Sequence, residues 1–192
     1  MNYFKKINLP QFPTLLETLN NLLTLRVLHW PQCGQICLNT KLGKEDDYEL
    51  GAGSLVLDWD KNYSTEVNNI TNINISKKTD NLLETDFTIL CNQFKNTDFE
   101  LLYNELNSRY ILGRVRLMNL NPKKCLSWHK DDTPRLHYPL HTQEGCFMII
   151  EDEVMHLPLS TWMMTETTKN HTAFNGSKES RIHLVAVILG NR

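Results

Sequence analysis

The sequence predicts a mainly β protein, an antiparallel sandwich, jelly roll or barrel, behind a helical N-terminal part. Three observations carry this. From about residue 110 onward, short β-prone runs are separated by turn signals such as "NPKK", "QEG" and "NGSKES". Seven or eight short strands at such spacing mark an antiparallel sandwich or barrel. Before residue 110 apolar residues recur instead at helical spacing. Between the two parts there is no obvious flexible linker and no internal repeat, so the 192 residues are expected to form one domain, long enough to bury a core. Its helical and loop part covers 1–109 and its β core 110–192.

In chain order, Leu15, Leu16, Leu19, Leu22 and Leu23 follow Pro13 and Thr14, the expected order for a helix start. Residues 40–80 are rich in Gly, Asn, Asp, Ser and Thr around "SLVLDW" and read as loops with one or two strands. Thr97 followed by Glu100 is a capping-box pattern, which opens a second helix to about Ser108. Eight strand candidates follow: "ILGRVRLMNL", "KCLSWH", "RLHYPLHT", "GCFMIIED", "VMHLPLS", "TWMMTET", "HTAFN" and "RIHLVAVIL".

Composition narrows the function. With 20 Lys+Arg against 22 Asp+Glu and a formal charge of −2, the chain lacks the concentrated basic face that phosphate backbones demand. Nucleic acid is not an expected partner. The N-terminal lysines precede no apolar run of signal-peptide length, and Glu17, Asn20, Asn21 and Arg26 interrupt Leu15 to Leu28, too short and too polar to span a bilayer. A cytoplasmic protein is expected. Five cysteines, Cys33, Cys37, Cys91, Cys125 and Cys146, form an odd, scattered set that suits buried thiols in a reducing compartment better than a disulfide framework. Cys33 and Cys37 could be half of a zinc site, but no second pair with ligand spacing follows.

One stretch is unlike its neighbours. "WHKDDTPRLHYPLHT", Trp128 to Thr142, holds three histidines, two aspartates, an arginine and a lysine, where an ordinary strand spends side chains on packing. On a strand end, His129 and Asp131 leave the same face because side-chain direction alternates, and together they could hold a metal. Such a pair alone is a weak signal. A third ligand is available in His171 of "NHTAFN", followed ten residues later by Arg181. Two histidines and a carboxylate on one face of an open site form the facial triad of non-haem Fe(II) oxygenases, which leaves three coordination positions for other ligands. A guanidinium nearby can pair bidentately with the carboxylate of a metal-chelating cosubstrate. His29, His141 and His156 read as packed or surface residues.

"GRVRLMNLNPKKCLSWHKDDTPRLHYPLHTQEGCFMIIEDEV" and then "HTAFNGSKESRIHLVAV" resemble the aspartyl/asparaginyl β-hydroxylase family of Fe(II)/2-oxoglutarate-dependent oxygenases. The resemblance covers about residues 110–188. It rests on a histidine after an Asn-Pro turn, Arg-x-His-x-Pro-Leu, a Gly-Cys-Phe strand, His-Thr-Ala-x-Asn and Arg-Ile-His-Leu-Val. It implies a double-stranded β-helix, a cupin-like jelly roll, covered by helices. It also implies that His129 and His171 bind iron, that Arg181 binds the distal carboxylate of 2-oxoglutarate, and that Arg135 and His137 lie beside the iron-proximal carboxylate. Asp131 fits the His-x-Asp form; adjacent Asp132 is the alternative, although on an ideal strand it points away from His129. The implied reaction is hydroxylation with O₂ as cosubstrate. Its substrate stays open among an amino acid, a peptide residue, a lipid head and another small molecule, and the oligomeric state is not indicated. Two rival classes remain, a cupin metalloenzyme that uses no 2-oxoglutarate and a non-catalytic β-sandwich binding module. Arg181 and Arg135 argue against the first, which needs no paired carboxylate anchors.

A last expectation concerns the turn between His171 and Arg181. Asn175-Gly176 invites a two-residue hairpin, but that register would turn Arg181 away from the face of His171. The site therefore requires a longer loop, for example Gly176 to Ser180, pairing Asn175 with Arg181 and Ala173 with His183, or else a bulge. Ile182, Leu184, Ala186 and Ile188 then pack outward, while Val185 and Val187 continue the inner face.

Overall fold

The computed structural model describes residues 2–53 and 82–192; the strand expected around "SLVLDW" lies outside them. The eight candidates of the C-terminal part all form strands: β5 (Tyr110–Leu120), β6 (Lys124–Cys125), β7 (Arg135–His141), β8 (Cys146–Ile150), β9 (Glu153–Met155), β10 (Met163–Thr165), β11 (His171–Asn175) and β12 (Arg181–Asn191). The N-terminal part supplies α1 (Leu15–Thr24), α2 (Asp98–Arg109) and the short strands β1 (Phe4–Lys6), β2 (Gln35–Cys37), β3 (Asn39–Thr40) and β4 (Ile89–Leu90).

The strands form a sheet ordered β1-β10-β7-β12-β5-β2, a second ordered β6-β11-β8-β9, and a small β3-β4 pair. Every pairing within them is antiparallel. Counted from β5, the larger sheet contains the first, eighth, third and sixth strands side by side, and the smaller the second, seventh, fourth and fifth. That order is the jelly-roll form of two antiparallel sheets, so the expected double-stranded β-helix is present.

β1 and β2 extend the larger sheet at its two edges. They were not foreseen in a front half read as helices and loops, because three-residue strands are too short to show a period.

Alternation along β12 sorts the interior into two chemistries. Leu184, Ala186 and Ile188, with Ile182 against them, join Leu136, Tyr138 and Leu140 of β7 and Val115 and Leu117 of β5 in one apolar cluster. Leu15 and Leu19 of α1 and Phe99, Leu102 and Leu106 of α2 complete it. The helices therefore cover the outer face of the larger sheet, and each fully buried Leu or Phe there contributes about 1.5–3 kcal/mol. The opposite row, Arg181, His183, Val185 and Val187, faces the smaller sheet.

α2 starts at the expected Thr97, whose hydroxyl accepts from Phe99 N–H at 3.2 Å. Glu100 reaches past the cap to accept from Asn96 N–H at 2.6 Å, so the capping box closes one residue early. Asp98 ties the helices together, accepting from the hydroxyls of Thr14 at 2.6 Å and Thr18 at 3.0 Å.

The turn after β11 corrects one expectation and meets another. No two-residue hairpin forms, as required. However, β11 and β12 lie in different sheets, so neither Asn175–Arg181 nor Ala173–His183 is a pair; Asn175 pairs with Cys146 and Arg181 with Leu120. The loop 176–180 is a crossover between sheets. The Asn175 side chain builds it, accepting from Ser177 N–H at 3.0 Å and donating to the carbonyls of Glu179 at 2.7 Å and Leu120 at 2.9 Å.

Candidate metal centre

His129 lies between β6 and β7, outside any strand, yet its backbone bridges His171 at the start of β11. His129 N–H donates to the His171 carbonyl at 3.1 Å, and His171 N–H to the His129 carbonyl at 2.9 Å. Residues opposed in this way send their side chains to one face. The two ring centroids stand 4.2 Å apart. Two residues on, Asp131 N–H donates to the Thr167 carbonyl at 2.8 Å, which holds this segment beside the approach to β11. One donor atom each from His129, Asp131 and His171 lies within 4.8 Å of the others, the only such trio among the described residues. Asp132 is exposed and outside the group; the geometry gathers Asp131.

Both imidazoles present the same nitrogen. His129 Nδ1 is 2.8 Å from the Ser127 carbonyl and His171 Nδ1 is 3.0 Å from that of Lys169. Carbonyls only accept, so each Nδ1 carries the proton and each Nε2 keeps its lone pair for a metal. His171 Nε2 already sits 3.6 Å from Asp131 Oδ2, near the separation of roughly 3 Å that two neighbouring ligands at ~2.1 Å adopt. Burial above all holds His171 below the ordinary histidine range, against the opposing pull of its Lys169 contact. The neutral, ligating form is favoured.

The remaining candidates surround this cluster. Arg135 is buried and pairs with Asp131 Oδ1 at 3.1 Å, while its other terminal nitrogen donates to Thr133 Oγ1 at 2.5 Å. Asp131 is thereby aimed through Oδ2 at His171. His137 is buried, its Nδ1 has no partner among the described residues, and its ring meets His183 edge-on at 5.9 Å. Burial, then the Arg181 charge, keeps His137 well below its ordinary pKa, hence neutral.

Arg181 is buried on the inner face, its Nε 3.0 Å and one terminal nitrogen 2.8 Å from the two ring nitrogens of His183. Burial, then the same guanidinium, also holds His183 well below its ordinary value. A neutral imidazole accepts at one nitrogen only, so one of these contacts sets N–H against N–H. No carboxylate among the described residues pairs with Arg181, and burial lowers its pKa to about 10.

Two interior residues were not singled out from the sequence. One is His183. The other is Arg116, whose inward position "GRVRLM" encodes only through the alternation of Arg114 and Arg116 with Val115 and Leu117. The other histidines are engaged elsewhere: His29 with Tyr48 and Glu49, His141 with Gln143 and Glu179, His156 with the Cys146 carbonyl. The expectation of buried thiols holds for Cys37, Cys91 and Cys146 but not for Cys33 and Cys125, which are exposed, and the cysteines join no metal group among the described residues.

The sequence profile of aspartyl/asparaginyl β-hydroxylase matches residues 84–189, more than half of the chain. The chain belongs to the aspartyl/asparaginyl β-hydroxylase family. This is the family that the motifs indicated. Curated proteins offer no match. Among solved structures this family member is similar to a 2OG-Fe(II) oxygenase-family oxidoreductase from Burkholderia pseudomallei, at 13% identity and a TM-score of 0.38 over 50% of this chain and 54% of that one. The chain thus spans about half the length of that oxygenase. A viral collagen prolyl hydroxylase from Paramecium Bursaria Chlorella virus-1 is also similar, at 13% identity and a TM-score of 0.36 over 50% of this chain and 70% of that one. So is a cupin domain from Bordetella pertussis, at 15% and 0.35 over 43% and 84%. Likenesses this shallow decide nothing about substrate or partner.

Proposed function

We propose that the protein is an Fe(II)/2-oxoglutarate-dependent oxygenase that hydroxylates an amino acid, a peptide residue or another small substrate. In this reading His129, Asp131 and His171 hold the iron, Arg181 anchors the cosubstrate, and Arg135 and His137 lie at its metal end. One observation carries it. The same interior contains a His-Asp-His trio aimed at one point and a buried guanidinium with no carboxylate partner among the described residues.

The donor set fits the metal: two imidazoles and one carboxylate suit Fe(II) and leave positions for exchangeable ligands. When bound, Fe(II) and 2-oxoglutarate supply the oxidation by O₂ that yields succinate, CO₂ and a hydroxyl group on the substrate. The chain's own residues prepare the site. Ser127 and Lys169 fix the tautomers of the two histidines, and Arg135 holds the Asp131 carboxylate in place. Arg181 exchanges its ill-matched contact with His183 for a two-pronged bond to a carboxylate. His137, neutral and with a free Nδ1, offers a ring nitrogen without adding charge. Met148 and Ile150, buried on β8, line the smaller sheet with apolar groups that exclude water.

The proposal takes residues 1–192 as one oxygenase domain in the cytoplasm; no helix among the described residues is long and apolar enough to cross a membrane. The test is anaerobic titration of folded protein with Fe(II) and then 2-oxoglutarate, watching for the weak visible charge-transfer band of the chelate. A band that saturates at one equivalent is expected. Metal-loaded protein that shows none would favour a cupin metalloenzyme instead.

A further inference from the structure

We propose that the substrate of this site carries an oxyanion, a carboxylate or a phosphate, and that Arg116 is the residue that holds it. This rests on the oxygenase reading for the position of the cosubstrate.

Arg114 and Arg116 stand two residues apart on β5, and the structure treats them differently. Arg114 is fully engaged: it donates to Glu84 Oε1 from two nitrogens at 3.0 and 2.8 Å and to the carbonyls of Gly51 at 2.8 Å and Gly53 at 2.7 Å. Arg116 is as deeply buried, 7% exposed, but among the described residues it meets only neutral acceptors, Gln35 Oε1 at 2.9 Å and the Gly53 carbonyl at 3.2 Å, both through one nitrogen. Its Nε has no partner among the described residues. No carboxylate among the described residues pairs with it, and burial lowers its pKa to about 10. A buried guanidinium left in this state is expensive unless a ligand completes it.

Position separates Arg116 from the cosubstrate. Along β12 the inner face runs from Arg181, opposite Leu120, to Val185, which lies between Arg116 of β5 and His137 of β7, and on to Val187 beside Arg135. The metal trio adjoins Arg135 through Asp131, so a cosubstrate bridging metal and Arg181 runs along the strands. Arg116 lies off that line, two strands from β7, roughly 10 Å to the side. It is one step along the sheet from the row of Arg135, where a substrate must sit for its reacting carbon to face the metal.

Charge balance points the same way. Among the described residues, Arg116, Arg135 and Arg181 face the interior with Asp131 as their carboxylate, since Glu84 belongs to Arg114. A dication and a dianionic cosubstrate cancel each other. Two positive charges then remain for the substrate to offset; a carboxylate on Arg116 offsets one of them and a phosphate nearly both. A neutral substrate leaves both unmatched.

The experiment uses full-length protein loaded with Mn(II) and saturated with 2-oxoglutarate under nitrogen, so that nothing turns over and the Arg181 position is filled. Benzoate, phenyl phosphate and benzamide are titrated by calorimetry, and the unfolding temperature is recorded for each. Wild-type protein is expected to bind benzoate or phenyl phosphate at least tenfold more tightly than benzamide, the tighter of the two identifying the group. In Arg116→Gln this preference should vanish, with 2-oxoglutarate affinity within twofold of wild type; Arg116→Lys should keep part of it. An unfolding temperature of Arg116→Gln at or above that of wild type verifies its folding, as removal of an unpaired buried charge predicts. The proposal is overturned if wild type shows no preference for the anions, or if the preference survives in Arg116→Gln. A tenfold loss of 2-oxoglutarate affinity in that variant overturns it too, by making Arg116 a cosubstrate anchor. A wild type that prefers the anions through Arg116 but never binds 2-oxoglutarate refutes the oxygenase reading and leaves the anion site standing.

Discussion

His129 and His171 exchange both backbone hydrogen bonds, at 3.1 and 2.9 Å, although 42 residues separate them. The loop that carries His129 is thereby locked to the strand that carries His171. Preorganisation of this kind makes affinity depend on the donor atoms and little on folding. Replacing His129 or His171 by Ala should reduce Mn(II) or Fe(II) affinity by more than the ~10–100-fold that loss of an outer-shell partner costs. Asp131→Asn should fall in the same class and Asp132→Asn should stay within twofold of wild type. Metal titration followed by unfolding temperature reads all four. Equal losses for Asp131 and Asp132 would contradict the geometry.

Arg181→Lys conserves charge and should still weaken 2-oxoglutarate binding on the order of tenfold or more, because an ammonium cannot present two parallel N–H groups to a carboxylate. Calorimetry on Mn(II)-loaded protein reads this without turnover. Unchanged affinity would move the anchor to another arginine, with Arg135 the next candidate.

The turn after β11 depends on one side chain. Asn175 is buried, and its carboxamide makes bonds to Ser177 N–H, to the Ser177 hydroxyl at 2.6 Å, and to the carbonyls of Leu120 and Glu179. Asn175→Ala leaves those groups unsatisfied and should destabilise the fold by about 2–4 kcal/mol. It should also weaken 2-oxoglutarate binding, since the crossover it shapes delivers Arg181 to the interior. Urea unfolding and cosubstrate titration together check this; loss of stability with full cosubstrate affinity would mean that β12 alone positions Arg181.

These residues mark what a sequence discloses. Turn signals delimited all eight strands, and His129, Asp131, His171 and Arg181 stood out because strands seldom spend such side chains on packing. Period two fixes which face a residue takes and says nothing about which strand lies beside it. Arg181 therefore reached the expected face while β11 and β12 went to different sheets. Arg114 and Arg116 look alike in "GRVRLM"; only Glu84, thirty residues earlier, separates a paired guanidinium from an unpaired one. No local pattern encodes that contact.

The two inner histidines should make the metal-free protein acid-sensitive well above the range where carboxylates titrate. His137 and His183 are buried between the sheets, and burial first, then the Arg181 charge, holds each well below the ordinary value of 6.5. In the unfolded chain both return to that value. Below pH 6.5 the unfolded state therefore binds more protons than the folded one, and stability falls as pH falls; above 6.5 neither state is charged and this contribution to stability is complete. Between pH 7.5 and 5.5 each histidine should cost about 1.4 kcal/mol, as long as its folded pKa stays below that window. Arg135 and Arg181 cannot relieve the effect, because both are cations that oppose protonation. The measurement is urea unfolding of metal-free protein at pH 7.5, 6.5 and 5.5. Its midpoint should change little between the first two and drop clearly at the third, while His183→Gln should show a shallower drop than wild type. A midpoint independent of pH across this window would mean that the interior admits enough water, or enough movement, to accommodate a charged imidazole.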